Sequence, residues 1–226
     1  MKRYLLFTVF ISGMTVLASE LAAGRLLGNV FGTSNIVWTS VIGLILIYLT
    51  FGYFLGGKWA DANPTPAALY RVLAWGAFTL GVVPYIASPV LRAAATAFDS
   101  LQVGILGASF VAVLILFIIP ITLLGTISPY AIRLTVDDTS RAGQTSGQIY
   151  AISTLGSFIG TFLPTLVTIP AIGTKNTFLL FSMILLLVAL VGLARFASQR
   201  EMVKHLWMPF VLVGLALLTA NQSLKT

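Results

Sequence analysis

Few side chains in this sequence could do chemistry, and the most unusual is Glu20, a carboxylate inside the apolar run Tyr4–Leu27. A charge at bilayer depth costs about 2.5–3.5 kcal/mol on insertion scales, so it needs a partner or a task. Two readings follow. Glu20 is a cation or proton site, or it is a structural carboxylate bonded to a hydroxyl, an amide or Arg25. Arg25 lies five positions on and about 140° away around a helix, a poor pairing geometry. Near the end of its run it can snorkel to the headgroups.

Little else in the chain suggests a reaction. His205 is the sole histidine and there is no cysteine, so no disulfide, thiolate metal site or Cys nucleophile is available. No P-loop, no GxGxxG after a strand and no metal-ligand cluster occurs. The expectation is a protein that is not an enzyme and has no catalytic residue, metal or cofactor. The densest polar stretch runs from Ser128 to Ser153 and holds Arg133, Asp137, Asp138 and Arg141. It reads as a local charge cluster or as a cytoplasmic loop that docks a partner.

The elements that must position these residues are membrane helices. Only 8% of the 226 residues are charged and 58% are hydrophobic, with a mean hydropathy of +1.00. A hydrocarbon core of about 30 Å needs about 20 mostly apolar residues per helix. Seven such stretches are present: Tyr4–Leu27, Asn35–Gly57, Val72–Leu91, Leu101–Ile132, Gln148–Ala171, Phe178–Ala194 and Leu206–Ala220. The fold class is therefore an all-α polytopic bundle of about seven spans, forming a single transmembrane domain. Leu101–Ile132 is long for one helix, and Pro120 and Pro129 are expected to kink it, its last turns lying along the interface. Lys2, Arg3 and the apolar run to Leu17 before Ala18 could also be a secretory signal, but Leu21–Leu27 continues the run to full span length.

Charge sets the topology. Lys2, Arg3, Lys58, Arg71, Arg133, Arg141, Arg195, Arg200 and Lys204 fall on one side of the seven spans; Arg92, Lys175 and Lys225 fall on the other. The positive-inside rule then places the protein in the inner (plasma) membrane with a cytoplasmic N-terminus and an extracytoplasmic C-terminus. The net charge of +7 is read as basic loops facing anionic lipid, not as a nucleic-acid surface. Trp38, Trp59 and Trp207 sit near span ends as interfacial anchors do.

Glycines mark the packing faces. Gly52 and Gly56, with Gly57 beside them, close the second span, and Gly156 and Gly160 repeat the spacing in the fifth. Such small-xxx-small faces let another backbone approach, and alanine or serine should be tolerated there far better than leucine. Gly143 and Gly147 extend the second face. Phe51–Gly57 and Leu155–Thr161 share Gly, Phe and Gly at matching offsets. With spans one to three opposite in orientation to spans four to six, that is the layout of a 3+3 inverted pseudo-repeat.

Several blocks resemble a known family. They are Glu20-Leu-Ala-Ala-Gly-Arg-Leu-Leu27, Phe31-Gly-Thr-Ser34, Val37-Trp-Thr-Ser40, Gly52-Tyr-Phe-Leu-Gly-Gly-Lys-Trp-Ala-Asp61, Gly125-Thr-Ile-Ser-Pro-Tyr-Ala-Ile-Arg-Leu134, Gly147–Thr161 and Ile169-Pro-Ala-Ile-Gly173. In order and spacing they resemble the membrane-embedded N-terminal region of fused spermidine-synthase-like proteins, major-facilitator-like modules joined to an aminopropyltransferase domain. The resemblance covers essentially the whole chain. It implies a polyamine-related setting: a module that acts with a separate soluble synthase-like partner or handles polyamine-type cations. The synthase part, with its glycine-rich loop and catalytic Asp, has no counterpart among these residues, so the transfer activity does not carry over. Glu20 and Arg25 carry over only as intramembrane charged positions. The alternatives are a small secondary transporter of another organic cation and a non-transporting subunit of a larger membrane complex.

Overall fold

The computed structural model describes residues 1–101, 104–136 and 139–223, with side chains left undescribed at 98–106, 137–139 and from 219 on. It is all-helical, with no strand among the described residues. Helix α1 (Lys2–Phe31) ends at Gly32, whose φ of +80° suits glycine, and Ser34 then caps α2 (Asn35–Ala62) by accepting from the Val37 N–H. A three-residue turn leads to α3 (Pro66–Leu101), which opens on a proline that has no N–H to leave unpaired. There follow α4 (Gly104–Gly125), α5 (Ile127–Thr135), α6 (Ala142–Leu163), α7 (Ile169–Phe196), the short α8 (Gln199–Val203) and α9 (Trp207–Ser223).

The loops are shorter than the apolar runs suggest. Helix α3 carries on through Arg92, and α6 starts at Ala142, inside the expected connection Arg133–Gln148. The long run Leu101–Ile132 bends at Thr126, between the two prolines, with Thr126 itself still in the helical region (φ −67°, ψ −19°), while α4 continues through Pro120. Helix α5 then folds against the end of α2. Tyr130 Oη donates to the Asn63 carbonyl at 2.7 Å, with the Trp59 carbonyl 3.2 Å away, which ties α5 to the C-terminal end of α2.

Six helical stretches are long and apolar enough to cross a membrane, and one of them, Ala142–Phe196, is 55 residues long. That stretch is not straight. A π-helical turn at Pro164–Thr168 precedes Gly173, whose φ is +79°. Thr177 Oγ1 lies 3.1 Å from Thr168 Oγ1, although nine residues of straight helix would span about 13 Å. The chain reverses there, and α6 and the body of α7 are antiparallel.

Side-chain pairings fix the other directions. Phe10 and Met14 meet Gly156 and Gly160, so α1 and α6 are parallel. Ser40 meets Ser109 and Gly56 meets Thr126, so α2 and α4 are parallel. Tyr70 packs on Gly192 and Phe196 while Ser182 Oγ donates to the Ala77 carbonyl, so α3 and α7 are antiparallel. Trp207 packs on Trp75 and Phe78, and Leu212 on Gly81, which sets α9 parallel to α3. Tyr4, Tyr70 and Phe196 form one ring cluster. This cluster, the Asp61–Arg133 ion pair and the start of α6 gather the residues flanking the nine basic positions at one end. Lys175, over the ring of Tyr85 at 4.7 Å, marks the other.

The interior is as apolar as a soluble core, with Leu27, Ile45, Phe117 and Leu185 fully buried. The exterior is apolar too: Phe54, Phe158, Leu166 and Phe210 stand exposed, Phe210 by 74%. Soluble monomers rarely carry contiguous apolar surface on this scale, and hydrocarbon is the environment that suits it.

Candidate functional site

Helix α1 carries a line of hydroxyls through the middle of the bundle. Thr8, Thr15 and Ser19 each donate to the carbonyl one turn back, at 2.9, 2.8 and 2.6 Å. Such back-bonding lets a hydroxyl lie buried against its own helix. Ser12 is 5% exposed and bonds to nothing among the described residues. It borders a small, partly open cavity of about 70 Å³ between α1, α2, α6 and the α4–α5 junction. Ser128, Ser153, Ser157 and Tyr53 are also in its wall. Ser157 Oγ donates to the Gly13 carbonyl at 3.2 Å, tying α6 to α1.

Glu20 belongs to the same side of α1. It is two turns beyond Gly13 and one beyond Val16 and Leu17, all of which wall the cavity. It is half-buried, and no hydrogen bond or ion pair engages it among the described residues. Arg25 is exposed and does not pair with it, in keeping with their angular separation. One turn further, Gly24 lies under the Trp38 ring of α2. The hydroxyl, amide or Arg25 that a structural carboxylate would need is not beside Glu20 among the described residues.

At the basic end a second feature opens to the surface, a groove of about 660 Å³ between α2, α5 and α6. Arg133 Nε donates to Asp61 Oδ1 at 2.9 Å across its mouth. Arg133 thus meets an acid 72 positions back in the chain. Arg141 ends a single 3-10 turn, Thr139–Arg141, just before α6. Asp137 and Asp138, the other members of the expected docking loop, lie outside the described residues. His205 is buried between α8 and α9, its Nδ1 2.8 Å from the Glu201 carbonyl.

The glycine faces contact backbone, but not each other. A Cβ on Gly52 would overlap the Thr122 carbonyl oxygen and one on Gly56 the Thr126 backbone, so this face seats the end of α4. A Cβ on Gly156 would overlap the Phe10 carbonyl oxygen and one on Gly160 that of Met14, so this face seats α1. The approach is tighter than the spacing alone implies, because even alanine's methyl collides with backbone. Gly57, Gly143 and Gly147 have nothing within 4 Å and belong to no such face.

Sequence reasoning missed the serines of the cavity and Asp61. Ser12 reads as an ordinary residue of an apolar helix and Ser128 and Ser153 as the ends of a polar stretch, and only the fold brings the three together. Compared with protein-family models, curated proteins and solved structures, the chain finds no match.

Proposed function

We propose that this chain is a seven-span inner-membrane module of the spermidine-synthase-like kind that handles polyamine-type cations, with Glu20 as the cation-attracting group. The observation that carries the reading is a half-buried carboxylate without a partner among the described residues, on the helix face that borders a hydroxyl-walled cavity. An unpaired acid at that depth is costly to keep, and a mobile cation gives it a task.

Helix directions support seven spans. Along the chain α1, α2, α3, α4, α6, α7 and α9 alternate in direction, and the basic residues gather at one end. That end is cytoplasmic by the positive-inside rule, which leaves the C-terminus outside.

The contacts also support the 3+3 inverted pseudo-repeat. If spans one, two and three correspond to four, five and six, the packing of α2 on α4 should correspond to that of α6 on α1. Gly52 and Gly56 make the first contact and Gly156 and Gly160 the second. Under the same exchange α3 against α7 maps onto itself, and α1 against α7 maps onto α4 against α3. Both kinds of contact occur.

A second reading, docking of a soluble synthase-like partner, is favoured by the groove around Asp61 and Arg133, which is wide, polar and open at the basic end. The two readings separate in one experiment. Putrescine and spermidine should raise the melting temperature of the purified protein in a saturable way, choline at equal ionic strength should not, and Glu20→Gln should abolish the difference. A Gln variant that still responds to polyamine removes Glu20 as the site. Polyamine indifference of the unmodified protein leaves the docking reading, which co-purification from native membrane tests.

A further inference from the structure

The hydroxyl-walled cavity has a composition and size that the Glu20 reading does not use. At about 70 Å³ it has room for a bare ion and one or two waters, not for an organic cation. Four of its wall residues, Ser12, Ser128, Ser153 and Ser157, carry hydroxyls. Ser12, Ser128 and Ser153 have no hydrogen-bond partner among the described residues. Ser157 gives its proton to the Gly13 carbonyl, which leaves its lone pairs free for the cavity.

The bend between α4 and α5 adds a further oxygen. Gly125, the last residue of α4, is also in the wall. Its carbonyl would ordinarily accept from the N–H four residues on, but that residue is Pro129 and has none. The carbonyl of this wall residue is therefore short of its helical donor. Carbonyls that lose their helical donor within membrane helices suit small cations. The position fits as well, because α1, α2, α4 and α6, the two glycine-faced pairs, meet around it.

We propose that this cavity is a binding site for a small monovalent cation of Na⁺ size, held by the hydroxyl oxygens of Ser12, Ser128, Ser153 and Ser157 and the Gly125 carbonyl. All of these are hard oxygen donors. No carboxylate is in the wall, so a divalent ion would lose its hydration without a compensating charge. A monovalent ion can be held by dipoles alone. Glu20 is a turn away and is not a ligand, so the proposal goes beyond the Glu20 reading and does not depend on it.

The test is equilibrium binding of radiolabelled Na⁺ to the purified full chain in lipid nanodiscs, by scintillation proximity, with unlabelled Na⁺, K⁺ and choline as competitors. Saturable binding displaced by Na⁺ and not by choline is expected. Ser12→Ala and Ser157→Ala should each weaken it about tenfold, the factor one ordinary hydrogen-bonding ligand represents. Ser153→Ala serves as the second variant if either fails to give monodisperse, helical protein. Glu20→Gln should retain binding. No saturable Na⁺ binding by folded protein, or binding unchanged in a Ser12→Ala/Ser153→Ala double variant, overturns the proposal and leaves a water-filled cavity. Binding lost in Glu20→Gln but kept in the serine variants also overturns it, placing the ion at Glu20.

Discussion

Replacing Gly156 by alanine is the sharpest test of how α1 and α6 are held together. In an exposed helix interior, Gly→Ala stabilises by about 1 kcal/mol because the unfolded chain loses freedom and the helix loses none. At Gly147, on the same helix, nothing lies within 4 Å of the new methyl, so that gain should appear almost in full. At Gly156 the methyl falls on the Phe10 carbonyl oxygen, a backbone atom that cannot rotate away. Forcing extra volume into such a contact costs about 1–3 kcal/mol. Subtracting the propensity gain leaves Gly156→Ala at about 0–2 kcal/mol destabilised, and about 1–3 kcal/mol below Gly147→Ala. Both variants would be unfolded in mixed micelles by titrating a denaturing detergent, with helicity as the readout. Serine at Gly156 should behave like alanine, and leucine should be worse than either. If Gly156→Ala proves as stable as Gly147→Ala, the backbones of α1 and α6 are not in contact and the assignment of this face is wrong.

Four other outcomes are expected. Tyr48 Oη is buried with no hydrogen-bond partner among the described residues, so Tyr48→Phe should leave stability unchanged or raise it by up to about 1 kcal/mol in the same unfolding assay. Ser182→Ala removes a buried 2.6 Å bond to the Ala77 carbonyl and should cost about 0.5–1.5 kcal/mol, measured likewise. The Asp61–Arg133 pair is exposed on both sides, so Asp61→Asn should change stability by no more than about 1 kcal/mol and any effect should shrink with added salt. Reporter fusions after Arg71 and Arg200 should read cytoplasmic and those after Arg92 and Lys175 external, and a cytoplasmic reading at Lys175 would show that α6 and α7 do not form two crossings.

The helices were legible because hydrocarbon imposes a length and a composition on every element that crosses it. Among the described residues the seven apolar stretches fall largely on helices, and the cap at Ser34 and the opening proline at Pro66 could be read from residue type alone. Helix ends were less legible. Hydropathy reports where lipid begins, while a helix continues until its hydrogen bonding stops, as in α3 running on past Arg92. The glycine pairs show the limit of spacing as a signal. Gly52/Gly56 and Gly143/Gly147 have the same spacing, yet only the first pair meets a backbone. Small size makes close approach possible, and the rotation and neighbours of the helix determine whether it happens.

The candidate sites divide along the same line. Glu20 stands out in sequence because a charge in an apolar run is a local anomaly with a known cost. Ser12 does not, since serine in a membrane helix ordinarily closes on its own backbone, as Thr8, Thr15 and Ser19 do. What sets Ser12 apart is a space between four helices, which no local pattern encodes. Part of that space could still have been read. Pro129 stands four residues after Gly125, so a carbonyl in this run must go without its helical donor wherever the helix lies. A proline four places after a glycine in an apolar run therefore marks a backbone oxygen in need of a partner. The fold places Gly125 in the same cavity wall as the four serines, where such an oxygen can find a partner that lipid would not offer.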